Sequence, residues 1–222
     1  MSLSRSGVEL DNLLARYGVD PASNPARQMR AYSGLLEKWN ARVNLTASTD
    51  WENVGPLFEE AIWAAQYYPG GRLRHLDIGS GAGFPALPLR VLRPEMRLEM
   101  VESRSRRCAF LETVIAELGL AGVRVLNARL EDHLACRAGQ EGWDIVSWKA
   151  IRLGKRELRL LLRCCSEDTR YWLFHSQRSP SEDPELLEST MSLESRTSCP
   201  ARGGWFLSVY ARRGCRDVSR ET

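Results

Sequence analysis

The stretch HLDIGSGAGFPALPL, residues 75–89, decides the fold of this 222-residue chain. HLDI is a short apolar run typical of a buried strand. Gly79, Gly81 and Gly83 then follow at every second position, and glycine lets a backbone bend sharply and approach a ligand closely. The apolar residues up to Leu92 indicate a helix, whose first turn would point free N–H groups back at the bend. The stretch therefore predicts a strand–turn–helix unit with a binding site at the turn.

After residue 70, short apolar segments alternate with helical ones. The first five strand candidates are RLRHLDI, RLEMVE, GVRVLNA, WDIVSW and RYWLFH. Helices are expected at residues 84–92, 106–118 and 158–165. Such alternation implies an α/β fold with a parallel sheet and right-handed crossovers. SLESRT and GWFLSVYAR near the end of the chain predict an additional antiparallel pair of strands.

The first seventy residues have helical rather than strand periodicity. Two apolar stripes, interpreted as core, consist of Val8, Leu10, Leu13, Leu14 and Tyr17, and of Met29, Tyr32, Leu35, Leu36, Trp39 and Val43. A third helix is expected from near Pro56 to Tyr68, where the sequence PGG ends it. We therefore divide the chain into an N-terminal helical extension, residues 1–70, and a second domain, residues 71–222.

Composition argues against several classes of protein. The apolar content of 43% is ordinary for a folded domain. No apolar run approaches the roughly 18 residues of a membrane span, and the N-terminal MSLSRSGVEL lacks the apolar core of a signal peptide. None of the six cysteines forms a CxxC pair. We therefore expect a cytoplasmic protein with reduced thiols and no metal site.

The basic residues are mostly arginine. Only three of the 31 basic residues are lysines, and the formal net charge is +3. Such a mild charge does not by itself indicate a polyanionic partner. The excess of arginine fits either a GC-rich genome or recognition of phosphate, for which a forked guanidinium is better suited than an ammonium group.

Acidic residues at the strand ends indicate which ligand the glycine turn binds. The pattern Asp77-x-Gly-x-Gly-x-Gly differs from the G-x-G-x-x-G of dinucleotide-binding folds. Glu102 ends the second strand, 19 residues after Gly83, where a carboxylate can bind ribose hydroxyls. A further acid, Glu131 or Asp132, follows the third strand. Because a carboxylate at Asp77 suits the sulfonium of S-adenosylmethionine and repels a pyrophosphate, these features favour a methyl donor; Glu102 alone would fit a solvated strand end.

Five segments between residues 35 and 151 carry a resemblance to a known family. They read LLEKWNARVNLTA, LDIGSGAGFPALPL, VESRSRRCAFLETVIAELGL, ARLED and WDIVSWKA. In these segments the chain resembles the bacterial 16S ribosomal RNA guanine-N7 methyltransferases, also called glucose-inhibited division protein B. KWN…NLT and GFP are the most specific parts. The resemblance implies a Rossmann-like, seven-stranded class I S-adenosylmethionine-dependent methyltransferase fold with an N-terminal helical extension.

The resemblance and the glycine turn together define the expected site. The expected cofactor-binding residues are Asp77, Gly79, Gly81, Gly83, Phe84, Glu102, Ser103, Leu130, Glu131 and Lys149. Glu102 stands where the family usually has aspartate on the ribose, and Leu130 and Glu131 match the pair beside the adenine. Lys149 replaces the arginine of a Ser-Arg-Ala triplet that here reads Trp-Lys-Ala. The resemblance implies that Lys149 is also the catalytic residue.

The part of the chain expected to bind substrate departs from the family pattern. The family has an Arg-His…Asp-Ser segment before the glycine turn. Here the matching residues 57–62 read LFEEAI, so that Phe58 and Ala61 stand among positions that have lost polar side chains. His175 replaces a family lysine after the fifth strand. The cofactor half is therefore closer to the family than the substrate half.

The expected function is transfer of a methyl group from S-adenosylmethionine to N7 of a guanine in 16S rRNA of the small ribosomal subunit. We expect a monomer with no membrane partner. N7 offers a lone pair on the edge of the base and loses no proton, so no general base is required. The alternatives are a diverged methyltransferase acting on another RNA or a small molecule, and a non-catalytic module that binds the cofactor or RNA.

Cations and aromatic residues near the expected pocket are candidates for RNA contacts. The arginines form two groups: Arg104, Arg106 and Arg107 after the second strand, and Arg152, Arg156, Arg159 and Arg163 at helical spacing. The second group is either an RNA-binding stripe or a solvated helix face. Trp148 either stacks on a base or belongs to the core. His75 and Cys108 are interpreted as structural residues.

Overall fold

The computed structural model describes residues 5–137, 142–177, 187, 189–201 and 203–213. The elements in chain order are α1 (Arg5–Arg16), α2 (Asn24–Val43), α3 (Trp51–Ala65), β1 (Arg74–Ile78), α4 (Ala86–Leu92), β2 (Arg97–Glu102), α5 (Ser105–Leu118), β3 (Val123–Asn127), α6 (Leu130–Ala135), β4 (Ile145–Lys149), α7 (Lys155–Cys164), β5 (Arg170–Ser176), β6 (Met191–Ser198) and β7 (Trp205–Arg212). In that part of the chain, no helix is long and apolar enough to cross a membrane.

The strands form one seven-stranded sheet in the order β3-β2-β1-β4-β5-β7-β6. Strands β1 to β5 are parallel to their neighbours, and β7 pairs antiparallel with both β5 and β6. The predicted α/β fold with its final antiparallel pair is confirmed. The strand order reverses between β1 and β4, and in such sheets ligands bind at the carboxyl ends of the strands beside that reversal.

Several predicted helix boundaries differ from the structure; α7, for example, begins at Lys155 rather than at residue 158. The third helix begins at Trp51 rather than near Pro56, so Pro56 lies inside the helix, where it removes one backbone N–H donor. It ends at Ala65, after which residues 66–68 continue as tight turns with N–H groups bonded three residues back. The helix after the glycine turn begins at Ala86 instead of residue 84.

Each face of the sheet covers its own hydrophobic cluster. Met100 belongs to the cluster that includes α1 to α5, whereas the next residue, Val101, belongs to the cluster beneath α6 and α7, as the alternation of side chains along a strand requires. The helical extension therefore shares a core with the sheet. The division into residues 1–70 and 71–222 stays a prediction.

The first apolar stripe is only partly core. Leu10, Leu13 and Leu14 are buried, but Val8 is 47% exposed. Val8 lies two residues before Leu10, which rotates it by roughly 200° around the helix, away from the buried face. The prediction that Val8 is a core residue is wrong.

The KWN…NLT motif has a structural explanation. The side-chain oxygen of Asn40 accepts hydrogen bonds from the N–H groups of Leu45 and Thr46, each at 2.8 Å. Asn44 caps α2 with a left-handed backbone, φ 50°, a conformation that asparagine tolerates better than most residues. The Trp39 ring packs 5.8 Å from that of Phe110. The motif thus fixes how the chain leaves α2.

Candidate functional site

A cavity of about 540 Å³ opens at the carboxyl ends of the parallel strands. Its walls come from four strand ends: Ile78 and Gly79 after β1, Val101 and Ser103 around the end of β2, residues 128–131 after β3, and residues 151–154 with Glu157 after β4. This volume lies within the range of small-molecule sites. The cavity occupies the position that the strand order predicts for a ligand.

The three glycines of the turn have different surroundings. A Cβ on Gly79, where φ is +67°, would lie 3.0 Å from Cγ2 of Ile151 on another wall of the cavity. A Cβ on Gly83 would lie 2.5 Å from Cδ1 of Leu87, so Gly83 allows α4 to pack closely against the turn. Gly81 has more space, its nearest neighbour being Arg107 at 3.6 Å. Among the three, Gly79 is the one that lines the cavity.

Glu102 holds the glycine turn in shape. Glu102 is 4% exposed, and its carboxylate accepts hydrogen bonds from the N–H of Gly81 on Oε2 and the N–H of Arg104 on Oε1, both at 2.9 Å. A carboxylate offers about four acceptor positions, so two stay available. Glu102 is absent from the cavity lining. Its predicted role in binding the ribose therefore stays a prediction. Its structural role, which is to hold the glycine turn, was missed in the sequence.

Some of the residues after β3 line the cavity and others do not. Leu130 and Glu131 line it, together with Ser103 after β2, whereas Asp132 is exposed and lies outside the lining. Of the two acids that the sequence offered after the third strand, the structure therefore favours Glu131. An apolar side chain beside a carboxylate suits a flat, polar-edged ring such as adenine.

Comparison with known proteins decides the family. The family model described as rRNA small subunit methyltransferase G matches residues 25–198. The chain belongs to this family. A methyltransferase G from Roseiflexus sp. (strain RS-1) is 39% identical over 155 residues, which cover 69% of this chain and 64% of the relative. One from Staphylococcus epidermidis (strain ATCC 35984) is 32% identical over 187 residues, covering 83% and 76%.

Solved structures agree on the methyltransferase fold. A SAM-dependent methyltransferase from Aquifex aeolicus superposes with a TM-score of 0.55 at 15% identity, covering 71% of this chain and 91% of that one. The predicted Rossmann-like class I methyltransferase fold is confirmed. The chain spans 64%, 59% and 61% of the length of three methyltransferase G relatives that it matches.

In this member of the family, Asp77 belongs to a buried hydrogen-bonded network rather than to the cavity lining. Asp77 is 2% exposed and accepts a hydrogen bond of 2.6 Å from Oγ of Ser147. His75 Nε2 lies 2.7 Å from the same Oγ, and because that hydroxyl hydrogen goes to Asp77, His75 donates from Nε2. Its Nδ1 then accepts from the Tyr68 hydroxyl at 3.3 Å. His75 is thus structural, as interpreted.

Burial shifts the pKa values of Asp77 and His75 in opposite directions. It raises the pKa of Asp77 from 3.8 to about 6 and lowers the pKa of His75 from 6.5 to about 3. Oδ2 of Asp77 has no hydrogen-bond partner among the described residues, which agrees with a carboxyl group that is costly to ionise.

We expect Asp77→Asn to stabilise the protein at neutral pH but not at pH 4. Between pH 3.8 and about 6 the folded state binds more protons at Asp77 than the unfolded state does, so wild-type stability from this group falls as the pH rises. The loss amounts to about 3 kcal/mol above pH 6, and an uncharged asparagine side chain avoids it. The free energy of unfolding of both proteins, measured in urea from pH 4 to 8, tests this. A constant difference across that range would contradict it.

Lys149 is held in an ion pair instead of lining the cavity. Its ammonium group contacts the carboxylate of Glu60 and lies 5.4 Å from the centre of the Trp205 ring. The side chains of Lys149 and Glu60 are 11% and 2% exposed. Glu60 belongs to the LFEEAI segment. This segment therefore still supplies a charged partner for Lys149, the residue that replaces the family arginine. The sequence showed two adjacent acids there, Glu59 and Glu60, on a largely apolar helix, and that signal was missed.

Three residues of the altered or expected site are core residues. Phe84 lies outside the cavity lining, with its ring 5.2 Å from that of Tyr32 and 5.0 Å from that of Phe58. Phe58 and Ala61 are fully buried. The Phe84 side chain therefore packs against the helical extension, and its expected cofactor contact stays a prediction that this position does not support.

Other candidates for RNA contacts fall into core and surface groups. Trp148 is completely buried, so the interpretation that it stacks on a base is wrong. Arg156, Arg159 and Arg163 are exposed on α7, which agrees with both interpretations of that stripe, while Arg152 precedes the helix and lines the cavity. His175 is bound at 2.9 Å to the Ser208 hydroxyl.

Further cavity walls were missed in the sequence. Ile151 and Leu153 follow β4 and line the cavity; their position after a parallel strand was the signal that could have identified them. Cys108 is buried, as interpreted. Within the described ranges, no group of three His, Cys, Asp or Glu side chains could hold a metal ion.

Proposed function

We propose that this chain transfers a methyl group from S-adenosylmethionine to N7 of a guanine in 16S rRNA. The observation that carries the proposal is the cavity at the carboxyl edge, where the bare backbone of Gly79 lies together with Ser103, Leu130 and Glu131. Membership of the methyltransferase G family supports it. The proposed setting is the cytoplasm, with the chain acting as a monomer on the small ribosomal subunit.

The residues of the cavity fit S-adenosylmethionine. The volume of about 540 Å³ is in the range that encloses ligands of this size. Gly79 leaves space that any side chain would fill. Ser103 and Glu131 supply polar groups for the ribose and the adenine edge, and Leu130 supplies an apolar surface for the ring. When bound, the cofactor supplies a methyl group on a positively charged sulfur.

The chain's own contribution to the reaction is alignment. Because N7 of guanine attacks with a free lone pair, the protein does not need to remove a proton. Positioning the reacting groups can supply about 7–11 kcal/mol of a barrier. The buried chain of Asp77, Ser147 and His75 joins β1 to β4 and keeps the two strand ends that form the cavity in register.

Lys149 is the proposed catalytic residue through its hydrogen-bond donors. An ammonium group has three N–H donors, and one is directed to Glu60. We propose that the remaining donors hold guanine O6, the acceptor next to N7 on the same edge of the base. Arg104 and Arg106, exposed after β2, are proposed to contact RNA phosphates beside the cavity.

Methyl transfer by the purified chain tests the proposed function. Small subunits and naked 16S rRNA from a strain lacking the gene are incubated with labelled S-adenosylmethionine, and the product is mapped by chemical cleavage at N7-methylguanine. We expect label at a single guanine of 16S rRNA. Label on a different base or on a small molecule would favour a diverged methyltransferase, and no transfer despite cofactor binding would favour a non-catalytic module. Either result would overturn the proposal.

A further inference from the structure

A second cavity, of about 310 Å³, opens at the opposite edge of the sheet, where β1, β2 and β3 begin. We call it the arginine cavity, and its charged and aromatic lining consists of Arg74, Arg97, Glu99, Arg124, Arg137 and Trp143. Arg74 and Arg97 are the first residues of β1 and β2. Because parallel strands begin at the same edge of the sheet, residues that are far apart in sequence lie together there.

The described lining of the arginine cavity is positively charged. Among the described residues, four arginines and one glutamate line it, giving a formal charge of +3, and Asp144, outside that lining, lies 3.9 Å from Nε of Arg74. Nε of Arg124 donates to Glu99 at 2.8 Å, and Arg137 lies 3.3 Å from the same carboxylate. The Glu99 side chain is 8% exposed. One buried carboxylate therefore orients two guanidinium groups in the wall while neutralising only one of them.

The accessible groups of the arginine cavity suit a phosphate rather than a base. Trp143 is 3% exposed, and the guanidinium of Arg137 covers its ring at 4.4 Å, so Trp143 offers no open face for stacking. Arg97 is exposed, and the Arg124 side chain is 61% exposed. Forked guanidinium groups match the oxygens of a phosphate in geometry and charge.

We propose that the arginine cavity binds a backbone phosphate of the RNA substrate, remote from the methyl-transfer cavity. The inference rests on the proposed function and adds a second contact with the same substrate. Because β1 has five residues, the two edges of the sheet lie roughly 17 Å apart, and a folded RNA on a ribosomal subunit can contact both. Phosphate contacts orient a protein on its nucleic acid without reading sequence.

The test removes two exposed arginine charges from the cavity and compares the effect with that of removing two exposed arginine charges elsewhere. The variant is Arg97→Gln/Arg124→Gln, and the control is Arg16→Gln/Arg27→Gln, which removes two exposed arginines of the helical extension. Methylation of subunits and filter binding of 16S rRNA are measured at several KCl concentrations. For the variant we expect the KM for subunits to rise at least about tenfold at low salt, with kcat and cofactor affinity unchanged. The slope of log affinity against log salt should fall by about 1 to 2.

Three outcomes would overturn the inference. The variant could keep the RNA affinity and salt slope of wild type, or the control pair could lose as much RNA affinity as the variant. In the third outcome, inorganic phosphate stabilises wild type but not the variant, while the variant binds RNA as tightly as wild type does. The last would assign the cavity to a free anion. The two proposals fail separately. If wild type binds 16S rRNA without methylating it, the proposed function fails, and the filter-binding comparison still decides the role of the arginine cavity.

Discussion

Gly79→Val is expected to abolish binding of S-adenosylmethionine while leaving a folded protein. The valine Cβ would lie 3.0 Å from Cγ2 of Ile151, and its two methyl groups would extend into the cavity that Gly79 lines. We expect calorimetric titration to show an affinity at least about 100-fold weaker, equivalent to about 2.7 kcal/mol. The left-handed backbone at φ +67° adds a strain of about 1–3 kcal/mol to the folded state.

Gly119→Val separates this strain from the blocked cavity. Gly119 has φ +61°, close to that of Gly79, and a Cβ there would meet no atom within 4 Å. Both variants should therefore lose similar stability, at about 2–4 °C in Tm for each kcal/mol. Only Gly79→Val should lose cofactor affinity. Wild-type affinity in Gly79→Val, or an equal loss in Gly119→Val, would contradict the placement of the cofactor against Gly79.

Glu60→Ala is expected to cause the largest loss of stability among the site variants. Glu60 is 1% exposed and is the carboxylate partner of Lys149, whose side chain is 11% exposed. Removing it leaves a buried ammonium group without its ion-pair partner, which costs about 3–5 kcal/mol in comparable pairs. Urea unfolding at pH 7 measures this loss. A free energy of unfolding equal to that of wild type would show that the ion pair is not a structural element.

Glu60→Leu/Lys149→Met provides the matched control. Replacing both members of a buried pair with apolar residues of similar volume is often neutral or stabilising, so this double variant should recover the stability that Glu60→Ala loses. It should bind the cofactor as wild type does, since neither residue lines the cavity. If Lys149 is catalytic, the folded double variant will not transfer methyl groups. Wild-type turnover would remove Lys149 from the mechanism.

Local patterns were sufficient to predict the sheet. RLEMVE was predicted as the second strand, and β2 covers Arg97–Glu102, because its apolar residues are buried between two parallel neighbours and its ends are marked by charged residues. The glycine turn and the final antiparallel pair were likewise readable from nearby residues. In each case the information lies within about ten residues of sequence.

The contacts that define the site depend on residues distant in sequence. Glu60 and Lys149 are 89 positions apart, and only the packing of α3 against the sheet brings them together. The GFP motif gave no sign that Phe84 packs in the core instead of facing the cavity. The sequence also marked Glu102 as a ligand group without revealing that Gly81 and Arg104 already bind both of its oxygens.

A crystal structure of the chain with S-adenosylhomocysteine would locate the cofactor site. We expect electron density for the adenosyl group beside Leu130 and Glu131, with the amino-acid end of the ligand against the backbone of Gly79. Density at any other place in the molecule, or side chains closing over Gly79 in the presence of saturating ligand, would contradict it.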